Sequence, residues 1–342
     1  MLRRQLIELG AGVAVGAPAA KLAKLLERLE LGDPSPVPLP SQLGAVHVAK
    51  VRDLTRRLGE ARRAYGPDPE VCSAAAAWAS RLLDVPGAEP VKGALVVAVA
   101  ELHIEAGWEA FEAGLYDRAM HHYGRALKLA TEAGDAYCQA VALNRAGLAT
   151  VEHGQPNEGL KLLQVGAVTA LDVPPDEPRA VVVGVSGKAA VRAIALADSA
   201  TALADLGEPE KADTELAEAR ELWQPTPADR NGDLDRPAAC LELARGHHER
   251  AEQFASASVR RWEGVSQVGR THSGVVLATV HVRAGEPRGL QLAHSAITAA
   301  GKLTSARVRR RLEPLVTALE ARSGADAGQL ARMARQVTTT RA

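Results

Sequence analysis

The sequence predicts an all-α fold, a right-handed superhelix of consecutive helical hairpins. Three observations predict it. Ala, Leu and Val recur at helical spacing along most of the chain, while aromatics are only 3% of its residues, which suits helices packed closely through small side chains. Glycines recur at 114, 154, 207, 246 and 285, at spacings of 40, 53, 39 and 39 residues. Three of them open turns of one design: Gly154-Gln155-Pro156, Gly207-Glu208-Pro209 and Gly285-Glu286-Pro287. Glycine enters the left-handed helix cap without steric cost, and proline fits the first turn of the next helix, where its missing N–H costs nothing.

The clearest unit runs from Ala94 to Asp135. Gly107, Ala119 and Ala126 are small where two helices must touch, and Leu102, Trp108, Phe111, Tyr116 and Tyr123 lie between them. After the turn glycine, Gly114, an alanine follows five residues on, a bulky residue four later and an alanine three later. This is the tetratricopeptide pattern, so the hairpins are expected to be tetratricopeptide-like. A second unit covers Ala136–Leu171, with Ala146-Gly147 before the turn and Gly159, Leu163 and Ala167 after it. The third carries Ala212, Leu216 and Ala219 after its turn, the fourth is Asp235–Trp262, and the fifth is Thr271–Ala300. Spacings above the usual repeat of about 34 residues predict helices longer by about a turn.

The flanking segments complete the division. Residues 1–40 read as a tail with one amphipathic stretch, Ala20–Leu31, and a linker, Gly32–Pro40, in which four of nine residues are proline. Residues 41–90 read as a helical pair, Ser41–Tyr65 and Glu70–Val85, stopped between them by Gly66-Pro67-Asp68-Pro69. Leu43, Val46, Val48, Val51, Leu54 and Leu58 mark the buried side of its first helix, and Arg52, Arg56, Arg57, Arg62 and Arg63 a solvated stripe. Residues 91–303 hold the five repeats. In residues 304–342, Thr304–Ser323 reads as a capping helix with Val308, Leu312, Leu315, Val316 and Leu319 inside and Arg307, Arg309, Arg310 and Arg311 on its wet side, followed by a last helix near Ala325–Val337. The insertion Asp172–Ala190 reads as an elongated helix or a mobile loop. Its Gly184–Lys188 stretch lacks the spacing, and the Ser or Thr after lysine, that a phosphate loop needs.

Composition excludes several functions. Lys+Arg and Asp+Glu are 41 each, so no basic face is expected to hold nucleic acid. There is no run of 18 apolar residues, so no membrane span is expected. Cys72, Cys138 and Cys240 are far apart and form no CxxC, which argues against a metal or redox role and for a reducing, cytoplasmic setting. Arg3-Arg4 followed by Ala17-Pro18-Ala19 offers the alternative of a twin-arginine export signal. His121-His122 and His247-His248 diverge around their helices, His103, His281 and His294 read as packing or helix-face residues, and no HExxH, GxSxG or GxGxxG appears. No enzymatic activity, cofactor or metal is expected.

The function predicted instead is a groove. In stacked hairpins the first helix of each pair lines the concave side, and counting back from each turn glycine selects its inward positions. These are Glu105, Trp108 and Glu112 in the first unit, with Ile104 and Phe111; Asn144, Arg145 and Leu148 in the second, with Val151 and Glu152; Asp198 and Thr201 in the third; and Arg236 in the fourth. An asparagine amide donates and accepts at once, which suits an extended peptide backbone, and a tryptophan on such a wall is a binding hot spot. The expected partner is a peptide or a segment of another protein, with homodimerisation as a further possibility. A sensor that holds a small hydrophobic ligand between helices is the alternative.

The stretch AGWEAFEAGLYDRAMHHYGRALKLATEAGD resembles the tetratricopeptide region of actinobacterial regulators that carry an N-terminal helix-turn-helix. RRQLIELGAGVAVGAP resembles the segment after the DNA-binding domain of that family, and VRDLTRRLGEARRAYG the helix that opens its sensor half. The resemblance implies a regulatory protein of the same architecture as peptide-pheromone receptors. No helix-turn-helix precedes Arg3, so it also implies action through a partner rather than by reading DNA.

Overall fold

The computed structural model describes residues 39–179, 187–224 and 232–339. Among them the chain is all-α, with no strand, and forms a right-handed superhelix of tetratricopeptide-like hairpins. The first pair is α1 (Ala45–Tyr65) and α2 (Pro69–Leu82). The repeats follow as α3 (Glu89–Glu112) with α4 (Tyr116–Glu132), α5 (Ala136–Glu152) with α6 (Pro156–Thr169), α7 (Gly187–Asp205) with α8 (Pro209–Leu222), α9 (Asp235–Ala244) with α10 (His248–Arg261), and α11 (Gln267–Arg283) with α12 (Arg288–Gly301). Then come α13 (Ala306–Arg310), α14 (Glu313–Ala321) and α15 (Ala325–Thr339).

The turn glycines do what their spacing requires. Gly114, Gly154, Gly207, Gly246 and Gly285 all have φ between 74° and 88°, and each sits just past the end of the first helix of its pair. At the first bend Gly114 N–H donates to Phe111 O at 3.0 Å and Leu115 N–H to Ala110 O at 2.8 Å, so the last carbonyls of α3 are satisfied as the chain reverses. Pro156 and Pro209 begin α6 and α8, and the Asp68 and Asp135 carboxylates cap α2 and α5. Small residues bring the helices together: a Cβ on Gly107 would lie 2.5 Å from the Tyr123 ring, and one on Gly159 would lie 2.7 Å from Gly147 O.

The first helix of each repeat lies inside and the second outside. Along α3 every residue from Ala98 to Glu112 except Trp108 is buried, whereas α4, α6 and α10 each keep an exposed face. Apolar burial is divided into clusters between neighbouring hairpins, one from Leu43 to Val191 and another from Val268 to Ala334. The array also closes on itself: α13 touches α3, and α11 touches α1.

That closure changes several expectations. The capping helix is two pieces, α13 and α14, because the chain turns at Arg311-Leu312. Its wet side is wet only in part: Arg310 is exposed and Arg311 half-buried, but Arg307 is 5% exposed and Arg309 is also buried, because α13 is wedged against the first repeat. In the arginine stripe of α1, Arg62 is 7% exposed and faces α3, while Val46, expected inside, is 56% exposed. Extra length in the fourth unit comes from the connection between Leu222 and Asp235, since α9 has only 10 residues. The arginine pair at 3–4, the stretch 20–31, nearly all of the proline-rich linker and Val181–Ser186 lie outside the described residues. No described helix is long and apolar enough to cross a membrane.

Candidate binding surface on the inner wall

The inner wall begins with α3, which buries four glutamates, Glu101, Glu105, Glu109 and Glu112, and His103. Buried carboxylates require partners, and arginines from other parts of the chain supply them. Arg62 Nε lies 3.1 Å from Glu105 Oε1 and 3.5 Å from Glu109 Oε1. Glu109 also accepts the Asp68 N–H at 2.8 Å, yet burial holds its carboxyl well above the ordinary range. Glu112 Oε1 accepts from Arg307 Nη1 at 2.8 Å and its Oε2 from Ser305 Oγ at 2.6 Å. Across from it, Glu152 Oε2 accepts from Arg307 Nε at 2.9 Å and Oε1 from Arg307 Nη2 at 2.7 Å, and Glu152 also pairs with Arg311. Burial opposes ionisation of Glu152, but the two arginines hold its carboxyl well below the usual range. Arg311 itself is lowered to about 10, by burial and the nearby Arg307 and Arg236 charges, although Glu152 opposes this.

The predicted positions converge only in part. Trp108 is half-buried and central: the Arg145 guanidinium stacks 3.8 Å from its ring centroid, Arg307 lies 4.9 Å away and Phe111 meets it edge-on. Arg145 is 9% exposed, and no carboxylate among the described residues pairs with it. Burial lowers its pKa from the usual arginine value against the pull of Tyr123 and Asp198, with Arg62 and Arg307 adding to the lowering. Asn144 Nδ2 donates to Asp198 Oδ2 at 3.2 Å, and burial raises the Asp198 carboxyl against the pull of Arg145 and Arg236. Leu148 is packed into a cluster with Phe111 and Tyr123. Thr201 donates to Ala197 O, one turn back on its own helix. Arg236 has a loose contact of 3.9 Å with Asp233, and its charge acts on the Asp198 carboxyl. Glu105, 1% exposed, is occupied by Arg62.

Sequence reading missed Arg62, Glu109, Ser305, Arg307 and Arg311 as parts of this wall. Only the four-residue spacing of Arg307 and Arg311, which puts them on one face of a helical turn, hinted that they act together. It also missed a histidine pair behind the wall. His103 Nδ1 and His122 Nδ1 are 2.9 Å apart, with Ser80 Oγ 3.0 Å from His103 and Ser73 Oγ 3.1 Å from His122. Burial and mutual repulsion lower His103 to about 3, and burial and His121 lower His122 to about 4. Where α10 meets the turn between α11 and α12, Glu252, the buried His281 and Glu286 place donor atoms within 4.8 Å of one another. Arg288 already supplies a cation there, with Nη2 2.9 Å from His281 Nε2 and paired to Glu252. A cleft of about 350 Å³ opens where the array closes, between Glu60 and Arg63 of α1 and Trp262 and Arg270.

No family model matches the chain, and no curated protein matches it. Solved structures do. A Rap protein crystallised in complex with competence and sporulation factor is 13% identical over 86% of this chain and 90% of that one, with a TM-score of 0.51. The Cut9–Hcn1 hetero-tetramer of the APC/C is 12% identical over 84% of this chain and 52% of that one, with a TM-score of 0.43. The P58(IPK) TPR domain is 11% identical over 94% of this chain and 98% of that one, with a TM-score of 0.20. The likeness to the Rap protein is one of fold.

Proposed function

We propose that this chain is a non-enzymatic protein-interaction module whose inner wall takes a peptide, or an extended segment of a partner protein, in a regulatory role. One observation carries this reading: Arg145 is buried on the inner wall, stacked on Trp108 and without a carboxylate of its own, beside the Asn144–Asp198 pair. A guanidinium on an aromatic plate with no carboxylate bonded to it, next to a donor–acceptor amide, can meet a peptide's carboxylate or carbonyls and its backbone together. The resemblance of the Trp108–Asp135 block to regulator sensor regions supports the regulatory setting. The factor bound by the Rap protein supports it by analogy of fold alone. A small hydrophobic ligand fits less well, because buried charged groups, Glu105, Glu112, Arg145, Asp198 and Arg307, stand among the apolar residues of the wall.

The test selects peptides from a random display library on the immobilised chain. Affinity of a selected peptide is then measured by calorimetry for wild type, Trp108→Ala and Asn144→Ala. A loss of tenfold or more is expected for Trp108→Ala, on the order of hot-spot effects at interfaces. Unchanged affinity in both variants refutes the assignment of the inner wall.

A further inference from the structure

Part of this wall is already filled, by the chain itself. The Arg307 guanidinium makes three bonds to Glu152, two of them from Nε, and one to Glu112, and it packs 4.9 Å from the Trp108 and 4.8 Å from the Phe111 ring centroids. Two carboxylates in fork geometry and two aromatic rings around one guanidinium constitute an arginine receptor. The segment that delivers Arg307 is anchored elsewhere. Val308 and Leu312 belong to the C-terminal apolar cluster with Leu315 and Val316, not to the clusters of α3 and α5.

The seam between residues 304–311 and the first repeats is therefore polar. It consists of the Ser305, Arg307 and Arg311 bonds to Glu112 and Glu152, the Arg307 guanidinium against the Trp108 and Phe111 rings, and close approaches of Thr304 to Gly66 and Ala306 to Gly114. Opening it separates ion pairs, the Arg307–ring contacts and the α11–α1 contact, but no apolar cluster spans it. Buried ion pairs contribute little net stability relative to their hydrated state, provided both partners are rehydrated or re-paired.

We propose that residues 304–311 are an internal occupant of the inner wall, and that the partner is a protein segment carrying an arginine, which replaces Arg307 between Glu112 and Glu152 as the C-terminal helices swing off α3 and α5. This rests on the inner-wall reading above and gives the partner's chemistry. A lysine in the same place lacks the planar fork that meets both carboxylates. Affinity in the closed chain is reduced by the fraction that is open, so weakening the internal contact raises affinity for the incoming arginine.

The experiment passes pools of short peptides, with the central residue fixed as Arg, Lys or Gln and the rest randomised, over immobilised wild type, Arg307→Ala and Arg307→Ala/Glu152→Gln. Retention of the Arg pool is expected to rise about tenfold or more from wild type to Arg307→Ala, to exceed the Lys and Gln pools, and to fall back in the double variant. Small-angle X-ray scattering of Arg307→Ala should show a larger radius of gyration, reduced again by ethylguanidinium, which fills the vacated place. Equal retention of the three pools, or an Arg pool held equally by wild type and Arg307→Ala, overturns the inference while leaving the inner wall as a peptide site. Retention of no pool by any form overturns both. If Arg307→Ala loses its helical circular dichroism, the same comparison in Arg307→Lys decides, with the same two outcomes.

Discussion

Gly159→Ala tests how the inner wall is held in place. Gly159 on α6 faces Gly147 on α5, and an added Cβ would lie 2.7 Å from both Gly147 O and Val151 N. These are backbone atoms inside a helix, so no rotamer change relieves the contact; α6 must move outward by most of an ångström. Overpacking of this kind costs about 1–3 kcal/mol. Replacing a mid-helix glycine by alanine returns about 0.5–1 kcal/mol of backbone entropy and helix propensity. The net expectation is destabilisation by about 1–2 kcal/mol, and more where Leu163, also in contact with Gly147, loses packing. Gly124→Ala on α4 is the control, since a Cβ there meets nothing within 4 Å. It should be stabilising by about 0.5–1 kcal/mol. Denaturant midpoints followed by far-ultraviolet circular dichroism compare the two. If Gly159→Ala is as stable as Gly124→Ala, the close approach of α5 and α6 is not what positions Asn144, Arg145 and Leu148, and the reasoning fails.

Three further expectations follow from the same geometry. Folded His103 and His122 accept protons only near pH 3 and pH 4, whereas unfolded histidines accept them near pH ~6.5, so stability should fall as pH drops from ~6.5 toward 4. The slope is about 1 kcal/mol per pH unit for each histidine, and melting temperatures between pH 7 and 5 should decline less steeply in His122→Gln. A Cβ at Gly154 meets nothing within 4 Å, but the residue has φ 88°, so Gly154→Ala should cost about 1 kcal/mol for conformation alone and Gly154→Asn less, by chemical denaturation. Asn144→Leu removes the donor to a buried Asp198 and should destabilise by about 1–3 kcal/mol, with Asp198→Asn in the same background recovering part of the loss in a double-mutant cycle.

The sequence by itself determined the hairpins. Left-handed glycine caps, small residues at helix contacts and helical apolar spacing are local properties, so Gly114 through Gly285 fixed where the chain turns. The count back from each glycine chose Trp108, Glu112, Asn144, Arg145 and Glu152, which are buried or half-buried on the first helices of their hairpins, because helical phase carries over from turn to contact. What only the tertiary structure decided is the state of that inner face. Arg307 and Glu112 are 195 positions apart, and Arg62 and Glu105 are 43 apart, so no periodicity links them. An arginine stripe reads as solvated when viewed one helix at a time. It becomes a buried set of counter-ions only when small rotations between hairpins accumulate until the last helices meet the first, a sum over the whole array that no single stretch of residues encodes.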